Sequence, residues 1–298
     1  MNVVSEANLH LRDRSIGAIL VDGGRLSLGD AERILRLQKE TGLRFGEAAI
    51  NLGLLSEQDI QQALACQFDY PYLIKREHEN EISAELVAAY EPFGRHVESL
   101  RGLRSQLLLR WFTGESERKT LAVVSPGRGE GRSYLAANLA VVFSQLGEHT
   151  LLIDADIRNP RQHALFHLDN RVGLTTILSG RATIDAIRRI PSFMDLSVLA
   201  AGPQPPNPQE LLLRPLFAKL LEELAHEFDV IILDTPAGDA SADAQTIAIR
   251  ASGAVVLARN NLTSVPACRR LVKSLVDAGV VVVGSVFNDP PRSAKLSR

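Results

Sequence analysis

The sequence predicts an α/β fold in which a mostly parallel sheet is flanked by helices, with a small helical domain before it. Short apolar runs alternate with helical stretches through the C-terminal part of the chain, the pattern of a parallel sheet covered on both faces. A glycine-rich segment and two acidic segments each follow one of these runs. The N-terminal part carries a helical repeat instead.

Length and composition set the limits of this prediction. The 298 residues have room for one large domain, or for a medium domain and a small one. A formal net charge of −2 gives no reason to expect nucleic-acid binding. No apolar stretch approaches the roughly 20 residues that a membrane span needs, and the first residues are too polar for a signal peptide. We therefore expect a cytoplasmic protein.

The helical repeat covers residues 15–38 and 44–67. In each copy a short helix is predicted to end near a glycine, and a Ser-x-x-Asp motif then opens a longer helix. Serine is a good N-cap, and an aspartate in the first turn is favourable. The two helical pairs predict a small module over residues 1–75.

The next stretch is predicted to be a linker, residues 76–95, because it is highly charged and carries no strong motif. The larger domain then covers residues 96–298. Near its start Glu98, Arg101 and Arg104 follow one another at intervals of three, so they line one helix face and could pair. Two interpretations of these three residues stay open: a solvent-exposed helix face and a contact between subunits.

A phosphate-binding loop is predicted after the apolar run Leu121–Val124. The segment SPGRGEGRS follows, and after it comes a helical pattern. In a strand, glycine-rich turn and helix, successive backbone N–H groups can wrap a phosphate, and the helix N-terminus adds partial positive charge. The segment fits the P-loop pattern G-x-x-x-x-G-K-[ST] with Pro126 at the first glycine and Arg132 at the lysine, while Ser133 would face magnesium. A plain turn is the alternative.

Two acidic motifs follow apolar strands. The run Thr150–Asp154 leads into Asp156 and Arg158, and alternate positions of an extended chain share one side. Two carboxylates and an arginine beside a phosphate loop suit a magnesium site and a general base, with chance clustering as the alternative. The run Val230–Asp234 has the form of a Walker B strand, whose aspartate holds magnesium. Further strands are predicted at 196–200, 254–258 and 280–287, and a helix near Pro208.

With these motifs the chain resembles bacterial tyrosine kinases of the exopolysaccharide chain-length family, most closely the EpsG type, over about residues 90–290. The resemblance is carried by SPGRGEGRS, LLIDADIRNP, VIILDTP, PPNPQELL and the Glu-x-x-Arg-x-x-Arg helix. The broader relatives are P-loop ATPases of the MinD and ParA class, which lack the last two patterns. The resemblance implies a P-loop NTPase fold with ATP and Mg²⁺ as cofactors.

The resemblance also implies roles for single residues. Asp156 would accept the phenol proton, with Arg132 and Asp154 beside it in catalysis. Magnesium would be organised by Ser133, Asp154 and Asp234. The implied ATP-binding set is Gly127, Arg128, Gly129, Glu130, Gly131, Arg132, Ser133, Tyr134 and Asn288, the last at the adenine.

Partners follow from the same resemblance. Glu98, Arg101 and Arg104 match the motif that joins subunits, so a homo-oligomer is implied. The cytosolic segment of a membrane chain-length determinant protein would activate the kinase and recruit it to the inner face of the cell membrane. Arg132 is expected to slow transfer, and the tail after Asn288 contains no tyrosine, so tail autophosphorylation is not expected.

The N-terminal repeat resembles the MshEN-type module of type II secretion and pilus ATPases, some of which bind cyclic di-GMP. The family pattern opens with Arg-Leu-Gly; the second copy here opens Arg44-Phe45-Gly46, whereas the first has Arg14 one place early. Arginine is a natural phosphate ligand. The predicted function is an ATP-dependent protein-tyrosine kinase that regulates exopolysaccharide chain length and export. A MinD/ParA-like ATPase switch and a cyclic di-GMP-responsive regulator, or a docking module, are the alternatives.

Overall fold

The computed structural model describes residues 15–67, 70–73, 81–112 and 118–290. The chain divides into two compact units, residues 1–72 and 73–298. Arg14, the first part of the predicted linker and the end of the tyrosine-free tail lie outside the described residues.

The N-terminal unit contains the two helical pairs that the repeat predicts. The serine caps are present, since the backbone N–H of Asp30 donates to Ser27 Oγ at 3.1 Å and that of Asp59 donates to Ser56 Oγ at 3.2 Å. A small apolar core lies between the helices and includes the buried Ile34. The helices are α1 (Ile16–Asp22), α2 (Leu28–Thr41), α3 (Phe45–Asn51) and α4 (Glu57–Gln67).

The larger unit is built on one sheet, which has seven strands within the described residues: β1 (Thr120–Val124), β2 (Thr150–Asp154), β3 (Arg188–Ile190), β4 (Phe193–Leu199), β5 (Val230–Asp234), β6 (Gly253–Arg259) and β7 (Val281–Asn288). Their order across the sheet is β3-β4-β2-β5-β1-β6-β7. All neighbours are parallel except β3, which runs antiparallel to β4. The sequence pattern misses β3 because this three-residue strand has two exposed arginines and no apolar run.

Helices cover both faces of this sheet, and two apolar cores lie between the layers. The helix over residues Arg132–Ser144, which is α7, follows the phosphate loop and is buried along almost its whole length, so it is the central helix of one face. The helices are α5 (Val87–Tyr90), α6 (Arg95–Arg110), α7 (Arg132–Ser144), α8 (Gln162–Leu165), α9 (Leu174–Leu178), α10 (Pro208–Leu213), α11 (Pro215–Glu227), α12 (Asp243–Ala251) and α13 (Val265–Asp277).

The prediction of a linker over residues 76–95 is wrong for its described part. The segment 81–91 packs onto α7, and Leu86 is fully buried there. Asn138 Oδ1 accepts the N–H of Ala88 at 3.0 Å, and Gln145 Nε2 donates to the Ala88 carbonyl at 3.0 Å. The residues that hold this segment, Asn138 and Gln145, lie about 50 positions further along the chain. The sequence of the segment itself therefore shows only its charged residues, which is why it resembles a linker.

The parallel arrangement brings the predicted motifs to one edge of the sheet. Strand β5 lies between β1 and β2, and Asp154 stands directly opposite Asp234 in the β2–β5 register. Ligands of open parallel sheets bind at the carboxyl ends of the strands. The three motif-bearing strand ends therefore form one site.

Candidate active site

The loop between β1 and α7 takes the shape that a phosphate loop requires. Gly129 and Gly131 have φ angles of +74° and +105°, which side chains with a Cβ rarely adopt. A Cβ on Gly131 would also lie 2.6 Å from Asn288 Nδ2. The helix begins directly after this glycine, at Arg132, so its first N–H groups face the loop.

The loop is braced by side chains of the protein itself. Glu130 is buried, and its Oε2 accepts the N–H of Gly127 at 2.9 Å while its Oε1 accepts the hydroxyl of Thr263. Arg259 Nη1 donates to the carbonyl of Gly129 at 2.6 Å. The loop is therefore braced from the end of β6 and the residues just after it.

Arg132, at the lysine position of the pattern, is only 8% exposed and folds back into the loop. Its Nε donates to the Thr235 carbonyl at 2.8 Å, and its Nη1 donates to the Gly127 carbonyl at 2.6 Å and to the hydroxyl of Ser125. The planar guanidinium makes these bonds in several directions at once, which a lysine ammonium cannot reproduce. Arg132 thus joins the phosphate loop to the end of β5.

Asp154 and Asp234 form a buried pair of carboxylates beneath the loop. Asp154 Oδ2 accepts the backbone N–H groups of Arg161 and Gln162, each at 2.9 Å. Asp234 Oδ2 accepts Gln162 Nε2 at 2.7 Å. Within the described residues, the Oδ1 atom of each aspartate is buried and has no hydrogen-bond partner.

Both carboxyl groups of this pair have raised pKa values. Burial raises the pKa of Asp154 well above its ordinary value, and the neighbouring Asp234 raises it further. Burial raises the pKa of Asp234 to about 6, against hydrogen bonds from Gln162 and Ser133 that lower it. Two such carboxylates, each with an open oxygen and with a serine hydroxyl beside them, are hard oxygen ligands that fit a magnesium ion.

Gln162 is a site residue that the sequence motifs do not indicate. It contacts both aspartates, one through its backbone and the other through its side chain, and its Nε2 also donates to the Ser133 carbonyl at 3.1 Å. A glutamine at the start of a four-residue helix has no distinctive local pattern. Only the pairing of strands brings it between the two motifs.

Asp156 and Arg158 lie above the buried pair. Asp156 is 6% exposed, and its Oδ1 accepts the backbone N–H of Asn159 at 3.0 Å. Burial raises the pKa of Asp156, while the Asn159 bond and the charge of Arg132 lower it. The sequence places Asp154, Asp156 and Arg158 on one side of the chain. In the structure Asp156 and Arg158 line a cavity, whereas Asp154 faces Asp234 below it.

Two cavities adjoin at the phosphate loop, and Gly131 lines both. One has a volume of about 240 Å³ and the other about 420 Å³, the latter between α6, α7 and β7. The smaller is lined by Arg128, Arg132, Ser133, Asp156, Arg158 and Arg161. The larger is lined by His96, Leu100, Leu103, Tyr134, Leu257 and Asn288.

The predicted subunit-contact residues share one face of α6 but differ in their contacts. Glu98 is 74% exposed and pairs with Arg101 at 3.2 Å. Arg104 Nη1 donates instead to the Val142 carbonyl at 2.8 Å, which fastens α6 to α7. The expected pairing is thus confirmed for the first two residues, and the third is tied to the body of the unit.

Comparison with known proteins agrees with this architecture. A family model described as ParA, NUBPL iron-transfer P-loop NTPase, matches residues 116–289. The chain is 36% identical to the putative tyrosine-protein kinase CapB of Staphylococcus aureus over 197 residues, which are 65% of this chain and 84% of CapB. It is 33% identical to the tyrosine-protein kinase YwqD of Bacillus subtilis over 219 residues, 72% of this chain and 90% of YwqD. The chain belongs to the bacterial tyrosine-protein kinase family.

A solved structure extends this result to the fold of the kinase. The kinase domain of the Escherichia coli tyrosine kinase ETK matches with a TM-score of 0.68 and 28% identity, over 78% of this chain and 89% of that domain. The predicted P-loop NTPase fold and tyrosine-kinase class are therefore confirmed. In the part of the kinase that the structure describes, no helix combines the length and the apolarity needed to cross a membrane.

Proposed function

We propose that this kinase binds Mg²⁺ and ATP at the edge formed by β1, β2 and β5 and transfers the γ-phosphate to protein tyrosine, regulating exopolysaccharide chain length and export. The observation that carries the proposal is the buried pair Asp154 and Asp234, whose open Oδ1 atoms lie beneath a braced phosphate loop. A cation is the partner that suits such a pair, because burying two close carboxylates is otherwise costly.

The two adjoining cavities support ATP as the nucleotide. The phosphates occupy the smaller cavity, where backbone N–H groups within residues 128–133 and the arginine side chains face them. The adenosine occupies the larger cavity, between apolar side chains and Tyr134. Asn288 Nδ2 already donates to the Glu130 carbonyl at 2.8 Å, which leaves its Oδ1 for the adenine amino group.

Ser133, Asp154 and Asp234 hold the magnesium ion in this proposal. When bound, magnesium neutralises charge on the phosphates. The protein residues supply the remaining functions: Gln162 keeps both aspartates oriented, and the loop amides position the phosphates.

Asp156 is the proposed base. The phenol oxygen of the incoming tyrosine forms a bond to the γ-phosphorus, the bond from that phosphorus to the bridging oxygen breaks, and ADP leaves with the electron pair. The phenol proton passes to the Asp156 carboxylate, which lines the phosphate cavity. The burial that raises its pKa makes it a better proton acceptor than an exposed aspartate.

Assembly and recruitment belong to the same proposal. The exposed Glu98, with Arg101 beside it, offers a charged surface on α6 for a neighbouring subunit, and Arg104 fixes that helix. We infer an EpsG-type enzyme that is activated by the cytosolic segment of a membrane chain-length determinant and is held by it at the inner face of the membrane. The kinase domain in this proposal includes the segment 81–95 that packs onto α7.

The N-terminal unit is proposed to be an MshEN-like module. A cavity of about 600 Å³ is lined by Gln38 and Gln67, the last residues of the two repeats, together with Gly17 and Phe45. Arg44 is exposed and is not among its lining residues. This arrangement supports either cyclic di-GMP binding or docking of an apolar side chain. Calorimetry of the full chain with cyclic di-GMP, beside the Arg44→Ala variant, separates the two.

The proposed kinase activity is tested with purified protein, Mg²⁺ and γ-labelled ATP, with and without the cytosolic segment of the membrane partner. We expect label on tyrosine, and we expect Asp156→Asn to abolish the label while ATP affinity stays within about twofold, because the amide keeps the Asn159 contact. Tight ATP binding with free phosphate and no phosphotyrosine would contradict the proposal and favour a MinD/ParA-like switch.

A further inference from the structure

A partly buried ion pair joins the segment after β2 to the start of α12. Arg158 Nε donates to Asp243 Oδ2 at 2.6 Å. The Asp243 side chain is completely buried, and its Oδ1 has no hydrogen-bond partner within the described residues. Arg158 is about one-third exposed and lines the 240 Å³ cavity. The pair thus has one end in the protein interior and the other at the proposed phosphate site.

This pair is poorly explained by stability alone. Burying a carboxylate carries a large desolvation penalty, and a well-packed apolar residue serves stability as well or better. The pair does fix the orientation of the Arg158 side chain. A charge-assisted hydrogen bond on Nε holds the plane of the guanidinium and leaves its terminal nitrogens for another acceptor. Asp156 and Glu210 also act on Arg158 electrostatically, but its hydrogen bond is to Asp243.

Arg132, which stands at the lysine position of the P-loop pattern, is already engaged. Arg132 uses three of its five N–H donors on the Thr235 carbonyl, the Gly127 carbonyl and Ser125. It therefore has less left to offer a phosphate than the usual lysine. Of the other arginines that line the cavity, Arg161 already donates from Nη2 to Glu85, whereas Arg158 is held through Nε, so its terminal nitrogens can meet a phosphate.

We propose that Arg158 binds the transferred phosphate of the nucleotide and that Asp243 is the positioning residue that aims it into the cavity. The inference rests on the proposed ATP site. It assigns a role to Asp243, which stands in no nucleotide-binding motif, and it links the segment after β2 to the segment after β5 through one hydrogen bond.

The test compares affinities for ATPγS and ADP by calorimetry of the full chain in Mg²⁺. Arg158→Gln is expected to reduce the ATPγS-over-ADP preference about tenfold, because a hydrogen bond to a charged group is lost, with ADP affinity within about twofold. Asp243→Asn is expected to give a smaller loss of the same preference. The double variant is expected to lose no more than Arg158→Gln alone. Asp239→Asn, which removes an exposed carboxylate from the same connection, is the control.

Other results would separate the Arg158–Asp243 assignment from its alternatives. An unchanged ATPγS preference in Arg158→Gln overturns the proposal, and so does a double variant whose loss is the sum of the two single losses. If Asp243→Asn lowers thermal stability but leaves the preference intact, Asp243 is structural only and the proposal fails. If the wild-type protein makes no phosphotyrosine but the expected affinity changes occur, the kinase proposal fails and the Arg158–Asp243 assignment stands.

Discussion

The Nε atom of Arg132 donates to the carbonyl oxygen of Thr235 at 2.8 Å, which ties the phosphate loop to the strand end that carries Asp234. The arginine at the lysine position is therefore integrated into the loop rather than free beside it. Its bonds stabilise the loop and at the same time restrain the side chain that the P-loop pattern assigns to the phosphates.

Arg132→Lys is expected to lower the stability of the protein and to raise the rate of phosphoryl transfer. The ligand-free protein should lose about 1–2 kcal/mol, because buried acceptors of the loop lose a donor, while the rate of phosphoryl transfer rises severalfold. Denaturant unfolding and labelled-ATP kinetics measure the two quantities. Arg132→Gln, which removes the charge, should lower both the stability and the rate of phosphoryl transfer. A variant Arg132→Lys with unchanged stability would show that the observed bonds contribute little.

Gly131→Ala is expected to abolish tight ATP binding and to cost about 1–3 kcal/mol of stability. The backbone has φ +105°, and the added Cβ would lie 2.6 Å from Asn288 Nδ2. Gly102→Ala on α6 is the matched control, because nothing lies within 4 Å of its added Cβ. The control should be neutral or stabilising by up to about 1 kcal/mol. Equal effects of the two substitutions would contradict the steric explanation.

Asn138→Ala is expected to release the segment 81–91 from α7. Asn138 accepts the N–H of Ala88 and donates to the Tyr134 carbonyl at 2.9 Å, so its loss leaves buried groups unpaired at a cost of about 1–3 kcal/mol. Hydrogen exchange should rise in residues 81–91 more than in the sheet. Gln106→Ala, on the exposed side of α6, is the control. Uniform exchange changes across the unit would refute the local role.

The helix cap at Asp59 predicts a pH dependence for the N-terminal unit. A hydrogen bond from the Ser56 side chain, with a further one from its backbone, lowers the pKa of Asp59 in the folded state. A carboxyl group with a lowered folded pKa stabilises the fold above its unfolded pKa of about 4, and this contribution disappears as the pH falls through the folded value. Asp59→Asn should therefore unfold at a lower temperature than wild type near pH 7.

The difference in unfolding temperature between wild type and Asp59→Asn should shrink as the pH is lowered from 5 to 3. Circular dichroism of the helical signal over that range measures it. Glu57→Gln, which changes a neighbouring charge in the same first turn, is the control for general helix-dipole effects. A constant difference across this pH range would rule out the cap carboxylate as its source.

The amino-acid sequence by itself determined the strand ends, the phosphate loop and the two aspartates below it. These features depend on local order: apolar runs become strands, glycines permit the loop dihedrals, and the carboxyl ends of parallel strands meet at one edge. Asp154 and Asp234 could be assigned to one site from the sequence for this reason.

The tertiary structure decided which side chains complete that site. Gln162 between the two aspartates, Asp243 behind Arg158, and the bond from Arg132 to Thr235 all join residues from different strands or helices. The packing of segment 81–91 against polar groups of α7 is of the same kind. Such contacts depend on the register of the sheet and on which buried polar groups need a hydrogen-bond partner. Neither of these produces a periodic pattern along the chain.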